Sequence, residues 1–223
     1  MTRRTNATIA GIAYLLYIAA AFPSMVLNAR ATNGDGMAAK LATMALHVTD
    51  VRLGAVLSFV GCVCALVLAV TLYAITREQD RDLAMLGLTC RVAEGVVGAA
   101  SIPTTLGLLA ITTAAGTNAV DPAAAGAVGA FVLSQTSLIG ATFFAIGSTL
   151  FSWLLLRGRM VPDWIAGLGV IGSAVLVIGL PLQIMELLPG LVTQTMWIPV
   201  AVFELVVAVW FIVKGVRPDA VTV

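Results

Sequence analysis

Three charged residues stand out deep inside the apolar stretches of this 223-residue chain: Arg91, Glu94 and Glu204. A charge at the middle of a bilayer costs at least ~2.5–3.5 kcal/mol on insertion scales, so each needs a partner or a task. Arg91 and Glu94 stand at i and i+3 and share a helix face. Gly95 and Gly98 continue that face, and small residues there let a second helix approach closely. Glu204, in the last apolar stretch, is the expected interhelical partner. Counting along a helix from Leu83 puts Arg91 about 12 Å deep and Glu94 about 16 Å deep, and counting back from Lys214 puts Glu204 about 15 Å deep. Both carboxylates thus belong near the midplane. The three charges sum to −1. The surplus is met by a proton, by a cation or by a substrate, or else the cluster only pins the third and sixth spans together.

Other side chains offer less. His47 and Asp50 are spaced i, i+3, and with Arg52 they form a candidate group on the outer face. His47 is the sole histidine, which excludes haem ligation by two imidazoles and multi-histidine metal sites within one chain. Tyr14, Tyr17, Gln135, Gln183 and Glu186 either line a cavity or anchor span ends. Trp153, Trp164, Trp197 and Trp210 suit interfacial belts. Cys62 and Cys64 would lie ~200° apart on a helix and cannot pair, and Cys90 is isolated, so all three read as packing residues. There is no Gly-x-Ser-x-Gly, no His-Glu-x-x-His and no phosphate-binding glycine loop with its lysine. Lys40 and Lys214 both lie outside the membrane core, which leaves no lysine for a retinal Schiff base. No catalytic residue, metal site or cofactor is assigned.

The elements that must position these groups follow from composition. Hydrophobic residues make up 60% of the chain and charged residues 10%, with a net charge of +1. Soluble domains carry roughly 25% charged residues. A water-soluble globule, a disordered chain and a nucleic-acid binder with a basic face are excluded. Polar breaks leave six apolar stretches: Thr8–Leu27, Leu53–Ile75, Leu83–Ile111, Thr136–Leu156, Trp164–Leu187 and Ile198–Val213. Each is about long enough to cross a ~30 Å hydrocarbon core as a helix, and open sheet edges cannot face lipid. The expectation is an all-α polytopic membrane protein of six transmembrane helices forming a single domain over residues 1–223.

Eight of the twelve basic residues (Arg3, Arg4, Arg77, Arg81, Arg157, Arg159, Lys214 and Arg217) flank one side of these spans, and Arg30, Lys40 and Arg52 the other. That bias predicts cytoplasmic N and C termini. A cleaved signal peptide is the rival reading of the first span, given Arg3-Arg4, an apolar run and Ala19-Ala20-Ala21. After the turn Asn33-Gly34-Asp35-Gly36, the stripe Met37, Leu41, Met44, Val48 predicts an amphipathic helix over about 37–50, lying on the outer membrane surface. Asp121-Pro122 predicts an N-cap with proline at the first helical position. A helix from Pro122 to Leu156 would reach ~52 Å, so it either protrudes or breaks near Ser134-Gln135-Thr136-Ser137. Leu188-Pro189-Gly190 predicts a tight turn. Pro103 and Pro181 fall inside spans as expected kink sites.

The order of short segments resembles an uncharacterised bacterial membrane family, domain-of-unknown-function family 4386. The stretches that carry the resemblance begin with Ile9-Ala10-Gly11-Ile12-Ala13-Tyr14-Leu15-Leu16, Val51-Arg52-Leu53-Gly54 and Arg91-Val92-Ala93-Glu94. They continue with Leu155-Leu156-Arg157 through Val161-Pro162 to Gly167, and with Pro199 through Glu204 to Trp210 and Lys214-Gly215. The alanine- and glycine-rich segment 115–130 departs most. The resemblance implies a six-span bundle in the bacterial plasma membrane and a retained first span. It directs attention to Arg52, Arg91, Glu94 and Glu204, and brings no activity with it.

Three functions compete. A small proton-coupled transporter would titrate Glu94 and Glu204 while moving a proton or a small molecule. A non-catalytic membrane subunit or lipid-binding scaffold would use the same charges structurally. A membrane enzyme acting on lipid at His47, Asp50 and Arg52 ranks last, because no nucleophile–base pair is visible. The lipid bilayer is the one partner that the composition requires; nucleic acid is not expected.

Overall fold

A computed structural model of the chain describes residues 1–134 and 138–217. The regular elements among them are helices: α1 (Arg3–Ala31), α2 (Met37–Leu46), α3 (Val48–Thr76), α4 (Arg81–Thr113), α5 (Pro122–Ser134), α6 (Leu138–Arg157), α7 (Asp163–Ile184), α8 (Gly190–Thr195) and α9 (Ile198–Val213), with a 3₁₀ turn at Gly116–Asn118. Six stretches are long and apolar enough to cross a membrane, namely α1, α3, α4, α5 with α6, α7, and α8 with α9. The chain is an all-α polytopic membrane protein.

Local caps start α1, α4 and α5 ahead of the apolar runs they lead into. Thr2 Oγ1 accepts the Thr5 N–H at 3.1 Å and starts α1 at Arg3, five residues before the apolar run. Asp80 Oδ1 accepts the Leu83 N–H at 3.1 Å and starts α4. Asp121 Oδ1 accepts from Ala123 and Ala124 at 2.9 and 3.0 Å, the expected cap ahead of Pro122. Pro103 and Pro181 lie inside α4 and α7 as the sequence indicates, and Pro23 also lies inside α1. The expected break at 135–137, and Gln135 itself, lie outside the described residues.

Two expectations need correction. The segment 37–50 is not one helix. It breaks at His47 (φ −109°, ψ 40°), so Asp50 and Arg52 ride on α3. Nor is its apolar stripe a free membrane-facing surface. Met37, Leu41, Met44 and Val48 pack with Leu108 and Leu109 of α4 and Ala125, Val132 and Leu133 of α5. Gly129 permits this approach, since a Cβ there would lie 2.9 Å from Leu41 Cδ2. The 188–190 turn is likewise not the whole connection. α7 ends at Ile184, and the short α8 follows Pro189. Glu186 adopts φ +57° where glycine is usual, while Leu187 N–H reaches Leu182 O at 3.0 Å and Glu186 N–H reaches Gln183 O at 3.0 Å. This pair of bonds is a Schellman closure without glycine, which the sequence does not advertise.

The chain divides into two compact units. Unit 1 comprises Met1–Ile18, Val63–Gly95 and Leu138–Val223; unit 2 comprises Ala19–Cys62 and Val96–Ser137. In unit 2, Ser24 Oγ donates to Gly54 O at 3.2 Å and lies 3.1 Å from Ser58 Oγ, joining α1 to α3, and α2 packs on α5. In unit 1, α7 packs against both α6 and α9. Glycines set these spacings: a Cβ on Gly11 would fall 2.6 Å from Ala208 O, and one on Gly172 would fall 2.9 Å from Val200 N. Backbones that close gain dispersion contacts, the main attraction available between helices in lipid.

Candidate functional site

The intramembrane cluster sits wholly within unit 1. α4 carries Arg91 and Glu94 about three turns in from its Asp80 cap. α9 carries Glu204 one turn before Ala208, whose carbonyl meets Gly11 of α1. That contact holds Tyr14, one turn beyond Gly11, in the interior, and Tyr17 follows one turn later. Arg91 is 0% exposed, Glu204 5% and Glu94 8%.

Arg91 Nη1 lies 2.9 Å from Glu94 Oε2, an ion pair without the alignment of a hydrogen bond. Tyr17 donates its hydroxyl to the other carboxylate oxygen, Oε1, at 2.9 Å. The guanidinium is flanked by two rings, with its Cζ 4.9 Å from the Phe144 centroid and 5.8 Å from that of Tyr17. Cation–π attraction is worth about 2 kcal/mol or more when desolvated. The aliphatic stem of Arg91 lies against Gly147 of α6, where a Cβ would come 3.1 Å from Cγ and 3.2 Å from Cδ. Phe144 in turn packs against Trp197, centroid to centroid 6.1 Å. Trp197 is therefore more than a belt residue, unlike the exposed Trp153 and Trp164.

Glu204 differs from the expectation. It makes no ion pair among the described residues, although it lies within electrostatic reach of Arg91, Glu94 and Tyr14. Arg91 instead pairs with Glu94 of its own helix and lies over the rings of Phe144 and Tyr17. Glu204 Oε1 is buried without a hydrogen-bond partner in the described structure, as are the three guanidinium nitrogens of Arg91 and the hydroxyls of Ser148 and Ser152 on α6. Native proteins leave few such groups, and each calls for an explanation.

The remaining candidates disperse. His47 Nδ1 lies 3.0 Å from Asp50 Oδ2 across the α2–α3 junction. Arg52 is exposed and makes no ion pair among the described residues, so His47, Asp50 and Arg52 do not assemble into one site. Glu186 is exposed at the α7 terminus. Among the described residues no group of three or more His, Cys, Asp or Glu could hold a metal ion.

A family model described as a domain of unknown function (DUF4386) matches residues 9–215. The chain belongs to this family. No curated protein and no solved structure matches it. The DUF4386 match spans every member of the cluster, including the ring residues and Gly147. Sequence reasoning found the charges and named Tyr14 and Tyr17 only as cavity candidates. It missed Phe144 and Gly147, which carry no polar signal; the one clue was the small residues Gly140, Gly147 and Ser148 recurring along α6.

Proposed function

We propose that this DUF4386 protein is a small proton-coupled transporter of the bacterial plasma membrane, with both termini cytoplasmic and Arg91, Glu94 and Glu204 as its proton-handling centre. The observation that carries this reading is Glu204: a buried carboxylate that has, among the described residues, no ion pair and one oxygen without a hydrogen bond, in a cluster whose charges sum to −1. A surplus negative charge inside a membrane calls for one more positive charge, and a proton is the smallest that meets it. Intramembrane carboxylates recur in the proton relays of pumps and transporters. The orientation rests on the eight-to-three distribution of basic residues.

A second reading has its own support. The Arg91 stem on Gly147 and the guanidinium between Phe144 and Tyr17 would serve equally to pin α1, α4 and α6 in a scaffold. Glu204→Gln separates the two. It removes the surplus charge at nearly constant volume, so the variant inserts and folds. Trp197 packs on Phe144, the ring that faces Arg91, so in a background carrying Trp153→Phe, Trp164→Phe and Trp210→Phe its emission reports on the cluster. In liposomes, a transporter shows a pH-dependent change in this emission between about pH 5 and 8 that Glu204→Gln abolishes. A wild-type protein with no pH response over that range refutes the transporter and leaves the scaffold.

A further inference from the structure

The loop between α3 and α4, at the arginine-rich end of unit 1, holds a second arrangement of charges. Tyr73, Arg77, Glu78 and Arg81 line a cleft of about 340 Å³. The acids of this loop are already committed. Glu78 Oε2 lies 2.8 Å from Arg3 Nη2. Asp80 Oδ2 lies 3.4 Å from Arg157 Nη1, and its Oδ1 caps α4 through Leu83 N–H. Asp82 follows Arg81 by one residue, about 100° around the helix, and does not line the cleft. Arg77 and Arg81 make no ion pair among the described residues, so the cleft has two cationic walls whose neighbouring carboxylates are spent elsewhere.

We infer that this cleft binds the phosphate of an anionic headgroup, with Arg77 and Arg81 as its counter-charges and the Tyr73 hydroxyl as an additional donor. Guanidinium groups match phosphate oxygens geometrically as well as electrostatically. The cleft lies where α3 ends and α4 begins, at headgroup depth for spanning helices. Beneath it the surface turns apolar. Val70 and Tyr73 stand at i−7 and i−4 from Arg77 on one helix face, and Met85 stands one turn below Arg81; Val70 and Met85 are both exposed. A phosphate site above an exposed apolar track suits a phospholipid, whose acyl chain would lie on Val70 and Met85. Free phosphate shares the headgroup chemistry but has no use for the track.

The test uses the full chain in detergent micelles, with bound lipid read by native mass spectrometry. Phosphatidylglycerol, phosphatidylcholine and inorganic phosphate are the probes. At about a fivefold contribution per arginine, phosphatidylglycerol is expected to bind about 25-fold more tightly than phosphatidylcholine. Arg77→Gln and Arg81→Gln should each cost about fivefold, and the double variant should erase the preference. Arg77 and Arg81 are both exposed, so these variants retain the wild-type melting curve. Arg52→Gln, an exposed arginine of unit 2, should leave the preference intact. Millimolar inorganic phosphate that displaces phosphatidylglycerol from wild type would assign the cleft to free phosphate and overturn the lipid. Equal binding of the two lipids, or a preference that survives in the double variant, overturns the site.

Discussion

Replacing Arg91 by methionine tests the energetics of the cluster most directly. Methionine keeps the stem that fills the space beside Gly147 and presents an apolar end to Phe144 and Tyr17. What it removes is the charge. Two buried carboxylates then remain with no cation, and the local sum falls from −1 to −2. Removing one partner of a buried pair costs about 3–5 kcal/mol, because the other is left uncompensated. Glu94→Gln alone leaves a sum of 0, keeps an oxygen to accept the Tyr17 hydroxyl, and leaves Glu204 within reach of Arg91; its cost should be clearly smaller. In Arg91→Met/Glu94→Gln both charges of the pair are gone, so position 94 no longer holds a carboxylate stripped of its cation, and the local sum returns to −1. The double variant should therefore recover about 2–3 kcal/mol relative to the sum of the singles. Reversible unfolding in mixed micelles, followed by near-ultraviolet circular dichroism, gives all four corners of the cycle. A coupling below about 0.5 kcal/mol, the spread expected for independent sites, would show that the 2.9 Å contact does not act as an ion pair.

Two further outcomes follow from packing and charge. Gly147→Ala places a methyl 3.1 Å from Arg91 Cγ, whereas a Cβ on Gly167 meets nothing within 4 Å; both gain the same helix propensity, so Gly147→Ala should melt as the less stable by about 1–3 kcal/mol, and equal melting would remove the glycine from the cluster's support. In a background without native cysteines, thiol reagents applied outside intact cells should label cysteine at positions 35 and 118 but not at 159, and labelling at 159 would invert the proposed orientation.

Much of the fold could be read from the sequence because the bilayer imposes one rule on every span: backbone polar groups must be satisfied within the segment. Six apolar stretches therefore give six spanning segments, and Asp121-Pro122 begins a helix where its chemistry requires one. The ends were less legible. α1 starts at Arg3 because Thr2 caps it, and Glu186 closes α7 in a backbone region that glycine would have announced. The stripe Met37, Leu41, Met44 and Val48 was visible, but periodicity gives a face and not what covers it; α5 and Leu108–Leu109 cover it here. The same limit applies to the cluster. Spacing along α4 pairs Arg91 with Glu94. The partners from α1 and α6 are tertiary, and two of them, Phe144 and Gly147, are apolar residues among dozens.

That limit bears on why the charges are present at all. Stability alone is a poor reason to keep them, since a buried pair can be exchanged for apolar side chains at little cost. The described cluster is also unevenly matched. Arg91 has nitrogens without acceptors, while Glu204, within its electrostatic reach, has an oxygen without a donor. A pin between helices needs one satisfied contact, and Tyr17 of α1 donating to Glu94 of α4 already supplies it, with Phe144 of α6 against Arg91. Glu204 adds nothing to such a pin and only raises its cost. An Arg91→Met/Glu94→Gln protein that unfolds like wild type would establish that the pair is not retained for folding. The pH response of that same protein then decides the matter: if it is lost while stability is kept, the cluster works on protons, and if wild type and variant respond alike, the charges have no part in the response and Glu204 must be explained without them.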